Sequence, residues 1–162
     1  MINAQSKIFN NVSEALSVIR QWQAAGDTIV FTNGCFDILH LGHVDYLEKA
    51  RQLGNKLILG LNTDASVNRL KGPERPLQDE MSRARVMASL LFIDLVILFA
   101  EDTPYELIAA VKPDVLVKGD DYAIENIVGH DIVQNNGGTV KTITLVKGYS
   151  TTNIVEKIKK QI

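Results

Sequence analysis

The segment His40-Leu41-Gly42-His43 contains the residues of this sequence that are best suited to chemistry. His40 and His43 are three positions apart, and Gly42 removes a side chain between them. If a helix begins here, both imidazoles face one pocket beside a helix N-terminus, which carries a partial positive charge. Imidazole N–H groups in such a place suit a phosphate that gains negative charge in its transition state. The pattern therefore indicates phosphate chemistry.

Other interpretations of this segment stay open. A single histidine is most often a structural or surface residue, and a zinc site would have only His130 and Cys35 as further nitrogen or sulfur ligands. Cys35 would need a nearby base to act as a nucleophile, and the sequence shows no base placed to deprotonate it. Asp37 fits equally well as a group that orients a ligand and as a helix cap.

A second polar segment, Ser150-Thr151-Thr152, follows Gly148 and precedes the last predicted helix. One hydroxyl at a helix start is explained by capping of the free N–H groups. Three in succession exceed that need. Together with backbone donors and the helix dipole they could hold a triphosphate.

Strands and helices that alternate along the chain must position these residues. The apolar runs predict strands over 28–32, 56–61, 95–99, 114–117 and 140–145. The helical spacing predicts helices over 13–25, 43–53, 79–91, 104–111, 125–135 and 151–160. This order is typical of an α/β fold, a single doubly wound, Rossmann-like domain with a five-stranded parallel sheet and helices on both faces. We divide the chain into an N-terminal helical extension, residues 1–26, and a main domain, residues 27–162.

Ligands of such sheets bind at the carboxyl ends of the strands, and polar residues occur there in this sequence. Asn62 and Asp64 follow the second strand, although Asp64 could also cap the next turn. Lys118 follows the fourth strand, and a lysine buried there needs an anion, which makes it a candidate for a phosphate. No G-x-G-x-x-G follows the first strand, which argues against a dinucleotide-binding oxidoreductase.

Composition narrows the class of protein further. Among the 162 residues 46% are hydrophobic and 22% are charged, and the formal net charge of −2 argues against a nucleic-acid binder. A single cysteine excludes an internal disulfide and favours the cytoplasm. The N-terminus lacks the pattern of a signal peptide. The apolar stretch 90–100 contains Asp94 and is too short to span a bilayer, so we expect no membrane association.

The run FTNGCFDILHLGH resembles the HxGH signature of the cytidylyltransferase-like nucleotidyltransferase superfamily, and Ser150–Thr152 resembles its second signature. These enzymes join a nucleoside triphosphate to a phosphate-bearing substrate and release pyrophosphate. The resemblance implies that His40, His43 and Lys71 are catalytic. It implies nucleotide binding by Thr32, Asn33, Gly34, Cys35, Phe36, Asn62, Asp64, Arg83, Ser150, Thr151 and Thr152. It assigns the acceptor to Asp37 and Lys118.

Some of these implied roles have plainer alternatives. Lys71 and Arg83 match a family lysine and arginine that contact nucleotide phosphates, but such a basic run is often a solvated surface. The spacing of Arg85 does not match. Phe36 also suits packing. Mg²⁺ is expected to accompany ATP on its phosphate oxygens, without a protein metal site.

The segments DTPYELI, KPDVLVKGDDY and GYSTTNIVEKI resemble the adenylyltransferase component of bacterial ADP-heptose synthases. This resemblance covers about residues 10–162. It implies transfer of AMP from ATP to D-glycero-β-D-manno-heptose 1-phosphate, which gives a lipopolysaccharide precursor. Asp120 departs from the glycine usual in these relatives.

The resemblance also leaves alternatives and implies partners. The alternatives are a glycerol-3-phosphate cytidylyltransferase and, from another class, a non-catalytic nucleotide-binding regulatory protein. We expect a homodimer, with the apolar segment 90–93 as a candidate interface, that works beside a separate heptose kinase.

Overall fold

The computed structural model describes residues 3–161 and has one parallel sheet of six strands in the order β1-β4-β3-β2-β5-β6. The strands are β1 (Ile8–Phe9), β2 (Ile29–Gly34), β3 (Lys56–Asn62), β4 (Leu95–Phe99), β5 (Val115–Gly119) and β6 (Thr139–Ile143). The α-helices are α1 (Val12–Ala24), α2 (Leu41–Arg51), α3 (Asp64–Lys71), α4 (Glu80–Ala88), α5 (Tyr105–Val111), α6 (His130–Asn135) and α7 (Thr151–Lys159). Short 3-10 helices span Ala4–Lys7 and Ile124–Asn126.

The core lies on both faces of the sheet, because continuous apolar strands must be covered on each side. Side chains of α2 and α4, among them Leu47 and Met87, pack on one face. Side chains of α1, α5 and α6, among them Ile19, Ile108 and Val133, pack on the other. The predicted doubly wound α/β fold is confirmed.

The number of strands differs from the prediction of five. The sixth, β1, is two residues long and pairs with the edge of β4, Ile8 beside Val96 and Phe9 beside Ile97. Two residues carry no period that a sequence pattern could reveal. The segment predicted as a helical extension therefore contributes a strand, and Ala15 and Ile19 of α1 are buried in the shared core. The predicted extension, 1–26, includes residues 1–2 and the predicted main domain, 27–162, includes residue 162, and these residues lie outside the described ones.

Several helices differ from the prediction, and α4 ends at Ala88, three residues before its predicted end. Helix α3 runs from Asp64 to Lys71, a segment in which the sequence predicts no helix, and it has only Val67 as a buried apolar side chain. The predicted helix 125–135 is divided between a 3-10 turn and α6. Helix α2 begins two residues before its predicted start. No helix within residues 3–161 has the length and apolar character needed to cross a membrane.

The direction of winding reverses between β2 and β5, and these two strands part there. Their pairing joins Val30 to Val115 and Phe31 to Leu116. Beyond it, the Tyr46 hydroxyl lies 2.7 Å from Thr32 Oγ1 and donates to the Val117 carbonyl oxygen at 3.0 Å. A side chain of α2 thus bridges the strands, and a crevice opens at their carboxyl ends.

We predict that Tyr46→Phe lowers the free energy of unfolding by about 1–3 kcal/mol, because it leaves two buried polar groups without their partner. Urea unfolding measures the change. Tyr105→Phe is the matched control, because the Tyr105 hydroxyl donates to Asp131 at the surface at 3.1 Å. Its effect should stay within about 0.5 kcal/mol. Equal effects of the two substitutions would contradict a bridging role for Tyr46.

Candidate active site

A cavity of about 500 Å³ occupies the crevice between the ends of β2 and β5. It receives side chains from segments far apart in the sequence, from the end of β2 to the start of α7. The predicted site residues that line it are Asn33, Gly34, Cys35, Phe36, His40, His43, Asn62, Lys71, Lys118, Ser150, Thr151 and Thr152. Their roles stay predictions, but the fold does bring them together.

His40 and His43 lie at the N-terminus of α2 with their rings stacked, 3.7 Å between centroids and 20° between planes. His40 is the N-cap residue, and its carbonyl oxygen accepts the His43 backbone N–H at 2.9 Å. The Nδ1 atom of each ring is buried and has no hydrogen-bond partner among the described residues. Buried polar atoms are usually paired. These two nitrogens therefore mark where a ligand would bind.

Phe36 and Gly42 shape the space around the two imidazoles. Phe36 has a φ of 45°, a left-handed conformation that is rare for a bulky residue, and its ring centroid lies 4.9 Å from that of His43. At Gly42 an added Cβ would lie 3.1 Å from the His40 ring. The glycine of the motif therefore leaves space for the His40 imidazole.

Both imidazoles are neutral at physiological pH. Burial lowers the pKa of His43 to about 4, and the adjacent His40 adds to the shift. Burial also lowers the pKa of His40. A neutral imidazole at this position offers an N–H donor to a phosphate without bringing a buried charge.

The N-terminus of α7 faces the same cavity from the side of the histidines. Ser150 is the N-cap, and its Oγ accepts the Asn153 N–H at 3.0 Å. Thr151 Oγ1 donates weakly to the Ile38 carbonyl oxygen at 3.5 Å, while Thr152 is exposed. Two helix N-termini therefore converge, which favours an anionic ligand.

Three cationic side chains line the cavity: Lys71, Arg75 and Lys118. Lys71 ends α3, and Lys118 lies in β5 with its ammonium 3.3 Å from the Asn33 carbonyl oxygen. Burial lowers the pKa of Lys118 to about 8, although nearby Cys35 and Asp121 oppose the shift. With the carboxylates of Asp102 and Asp121 also in the lining, the cavity has a small excess of positive charge, whereas the chain has a net charge of −2.

The structure places four predicted site residues outside the lining of the cavity: Thr32, Asp37, Asp64 and Arg83. Thr32 belongs to the bridge with Tyr46. The Asp37 carboxylate accepts Arg75 Nε at 2.7 Å and the backbone N–H groups of Leu77 and Gln78 at 2.9 Å. Burial alone would raise the pKa of Asp37, but these donors lower it. Asp37 thus ties the loop after α3 to the end of β2.

Arg83 is buried, with 1% of its surface exposed, and its guanidinium already has protein partners. Its Nη1 donates to the carbonyl oxygens of Cys35 and Asn62, both at 2.8 Å. Its Nε donates to the Gln78 carbonyl at 3.0 Å, and its Nη2 donates to Asp64 at 2.7 Å. Arg83 therefore joins the ends of β2 and β3, and it does not line the cavity, so its implied contact with nucleotide phosphates stays a prediction.

The geometry also bears on three other features of the sequence: Cys35 as a nucleophile, a metal site, and Asp120. Burial raises the pKa of the Cys35 thiol, which disfavours the thiolate that a nucleophile requires. Within residues 3–161 no three His, Cys, Asp or Glu side chains gather to hold a metal ion. The Asp120 carboxylate accepts the Leu145 N–H at 3.3 Å and does not line the cavity.

Sequence reasoning missed several residues that do line the cavity, among them Arg75, Asp102, Asp121 and Tyr149. Arg75 stands in the same basic run as Lys71, but its partner Asp37 is 38 positions away in the sequence. A pattern of spacing within one segment cannot reveal that pair. Asp121 lies three positions after Lys118 in the sequence. The sequence singles out its neighbour Asp120, because that residue departs from the glycine usual in the resembled family.

Lowering the pH should destabilise the protein through His43. Its folded pKa of about 4 lies below its ordinary value of 6.5, so the unfolded chain binds the proton more readily. The stabilisation is complete above pH 6.5 and is lost as the pH falls toward 4. Between pH 7 and pH 5 the loss is about 1–2 kcal/mol.

Urea unfolding at both pH values measures this effect, and His43→Asn should show a smaller loss than the wild type. His130→Asn is the control, because His130 Nδ1 lies 2.9 Å from the Ile127 carbonyl oxygen, away from the cavity. It measures the effect of losing a histidine outside the cavity, with which the change in His43→Asn is compared. Identical losses in the wild type and in His43→Asn would contradict the low pKa.

Comparisons with known proteins agree with this geometry. The model of the cytidylyltransferase-like family matches residues 31–157, which include the paired histidines and Ser150–Thr152. Proteins named bifunctional protein HldE are similar: that of Magnetococcus marinus is 57% identical over 97% of this chain, and that of Trichlorobacter lovleyi is 59% identical over 96%. The chain spans about a third of their length, 32% in each case.

Solved structures are similar as well. A lipopolysaccharide core biosynthesis protein from Thermoplasma volcanium is 32% identical, with a TM-score of 0.59 over 77% of this chain and 100% of its own. A pantothenate synthetase from Thermus thermophilus, 16% identical, has a TM-score of 0.63 over 95% of this chain and 70% of its own, and shares the fold. Since the family model covers most of the sequence and both of its motifs, the chain belongs to the cytidylyltransferase-like family of nucleotidyltransferase enzymes.

Proposed function

We propose that this chain transfers the adenylyl group of ATP to D-glycero-β-D-manno-heptose 1-phosphate, giving ADP-heptose and pyrophosphate. The observation that carries the proposal is the stacked pair His40 and His43, with unpartnered Nδ1 atoms, in a cavity that two helix N-termini face. The choice of acceptor rests on the sequence resemblance and on Lys118 at the far side of the cavity. Similarity to a protein described as acting in lipopolysaccharide core biosynthesis supports the same choice.

ATP binds in the half of the cavity formed by α2 and α7. The neutral imidazoles of His40 and His43 donate to the α-phosphate and to the oxygen that bridges it to the β-phosphate. Lys71 and Arg75 supply positive charge to the phosphates. The residues Ser150–Thr152 and the N-terminus of α7 hold the β- and γ-phosphates. Arg83 acts by holding the strand ends that carry these groups.

The reaction is an in-line displacement at the α-phosphorus. An oxygen of the acceptor phosphate forms a bond to that phosphorus while the bond to the bridging oxygen breaks. Pyrophosphate leaves with the electron pair of that oxygen. The acceptor phosphate is already ionised, so no general base is needed, and Lys118 binds and orients it. Positioning and charge stabilisation therefore provide most of the catalysis.

Magnesium enters the site with ATP. The described residues offer no cage of protein ligands, and the carboxylates that line the cavity are those of Asp102 and Asp121. These residues fit an ion held mostly by phosphate oxygens and water. When bound, the ion neutralises charge on the departing pyrophosphate.

Two associations complete the proposal. Two copies of the chain pair through residues 90–93, where Leu91 is exposed. A separate heptose kinase supplies the heptose 1-phosphate. Because the reaction consumes ATP, we place it in the cytoplasm.

Pyrophosphate release measured with four nucleoside triphosphates and several acceptors tests the function. We expect turnover with ATP and heptose 1-phosphate, and little with CTP and glycerol 3-phosphate. His43→Ala should lower kcat on the order of 100-fold or more, because one positioned donor is lost. Turnover within a few-fold of wild type in His43→Ala would contradict the role of the histidines. Absence of pyrophosphate release with every pair would favour a regulatory nucleotide-binding protein.

Gly42→Ala should lower kcat by about tenfold or more while the thermal midpoint changes little. The new methyl group would displace the His40 ring, whereas alanine at this helical position favours the helix. A double-mutant cycle with His40→Ala provides the control. If the methyl group acts through the ring, Gly42→Ala should cost little more once the ring is gone. A full additional loss would contradict this mechanism.

A further inference from the structure

Asn33 lies on the opposite side of the sheet edge from the two histidines. Side chains alternate between faces along a strand, and Phe31 of β2 packs in the core formed with α1, α5 and α6. Asn33, two positions further, points to the same side. A Cβ added at Gly60 would lie 2.9 Å from Phe31 and 3.2 Å from Asn33. His40 and His43 belong to the start of α2, which packs on the other face.

Lys118 shares the side of Asn33. Leu116, two positions earlier in β5, is buried in the same core as Phe31. The Lys118 ammonium donates to the Asn33 carbonyl oxygen at 3.3 Å, and Asp121 is near enough to influence the pKa of Lys118. We call Asn33 and Lys118 the β2–β5 corner of the cavity.

The side-chain oxygen of Asn33 is buried and has no hydrogen-bond partner within residues 3–161. Leaving a buried carbonyl unpaired is costly, so such an atom marks a missing donor. Only an O–H or N–H group can satisfy it. The ionised phosphates of ATP carry neither. The triphosphate therefore does not explain this atom. A hydroxyl or amino group does, and beside Lys118, which the proposed function assigns to the acceptor, that group belongs to the acceptor rather than to the ribose or adenine of ATP.

We propose that Asn33 selects the acceptor: its side-chain oxygen accepts a hydrogen bond from a sugar hydroxyl beside the phosphate that Lys118 binds. This inference rests on the proposed function and deepens it. In a sugar 1-phosphate, the nearest ring hydroxyl is on the carbon next to the one that carries the phosphate. Both groups therefore reach the β2–β5 corner together. Asn33, assigned to the nucleotide from the sequence, belongs to the acceptor half.

Kinetics with each substrate varied in turn tests the assignment. Asn33→Ala should raise the KM for heptose 1-phosphate by about tenfold, the effect of one lost hydrogen bond. The KM for ATP should stay within about twofold. Thr152→Ala is the matched control from the nucleotide half and should show the reverse pattern. Asn33→Leu keeps the number and branching of the side-chain heavy atoms and removes the oxygen, so it should behave as Asn33→Ala does.

A deoxy acceptor separates recognition from a structural role. Heptose 1-phosphate without the ring hydroxyl next to the phosphate should be about tenfold poorer than the natural acceptor for the wild type. For Asn33→Ala the two acceptors should be used equally. A variant that is merely destabilised would keep the preference of the wild type. Thermal unfolding checks that each variant is folded.

The outcomes distinguish this inference from the proposed function. An increase in the KM for ATP alone, or no change in either KM, overturns the role of Asn33. Preserved discrimination against the deoxy acceptor in Asn33→Ala overturns it as well. If the wild type uses another phosphorylated acceptor, the proposed function fails, and the same KM comparison with that acceptor decides the role of Asn33. If the wild type turns over no acceptor, weaker ATP binding by Asn33→Ala overturns the inference and unchanged binding supports it.

Discussion

The separation of β2 from β5 beyond Phe31 and Leu116 is the constraint on which the cavity depends. Where two parallel strands part, their backbone groups lose each other as partners and need replacements. The Tyr46 hydroxyl provides one for Val117, and the Lys118 ammonium provides one for Asn33. Hydrogen bonds from side chains thus replace the backbone hydrogen bonds between the two strands, and the space between the strand ends stays open for ligands.

Buried charges fix the rim of this space. Arg83 draws together the carbonyl groups of Cys35 and Asn62, and Asp37 gathers the backbone N–H groups of Leu77 and Gln78. A charge inside a protein is tolerated only when it is well partnered, and both groups are. They fix where the site residues stand and have little hydrogen-bonding capacity left for a substrate.

The sequence predicts the central sheet well because strands such as β4 are short, continuous apolar runs, which are typical of buried parallel strands. It predicts both motifs because their histidine, glycine and hydroxyl residues cluster where helices α2 and α7 begin. It does not predict β1, which is too short for a period, or α3, where Val67 is the one buried apolar side chain. It also does not reveal that Arg83 joins the strand ends and lies outside the cavity lining, because its partners include backbone carbonyl groups of distant segments.

The sequence also does not separate the two halves of the site, because that separation depends on which face of the sheet each side chain occupies. Strand alternation, visible only once Phe31 is placed in the core, puts Asn33 across the edge from His43. The sequence places both residues in one motif and therefore indicates one shared ligand. Geometry divides that motif between the two faces of the sheet.

In the role proposed for Lys118, its burial also couples acceptor binding to the uptake of protons from solvent. With a pKa of about 8, part of the Lys118 population is deprotonated in mildly alkaline solution before the acceptor arrives. A bound phosphate dianion stabilises the ammonium form, so acceptor binding takes up a fraction of a proton from the buffer. That fraction grows as the pH rises toward 8, and the heat of binding then depends on the ionisation enthalpy of the buffer.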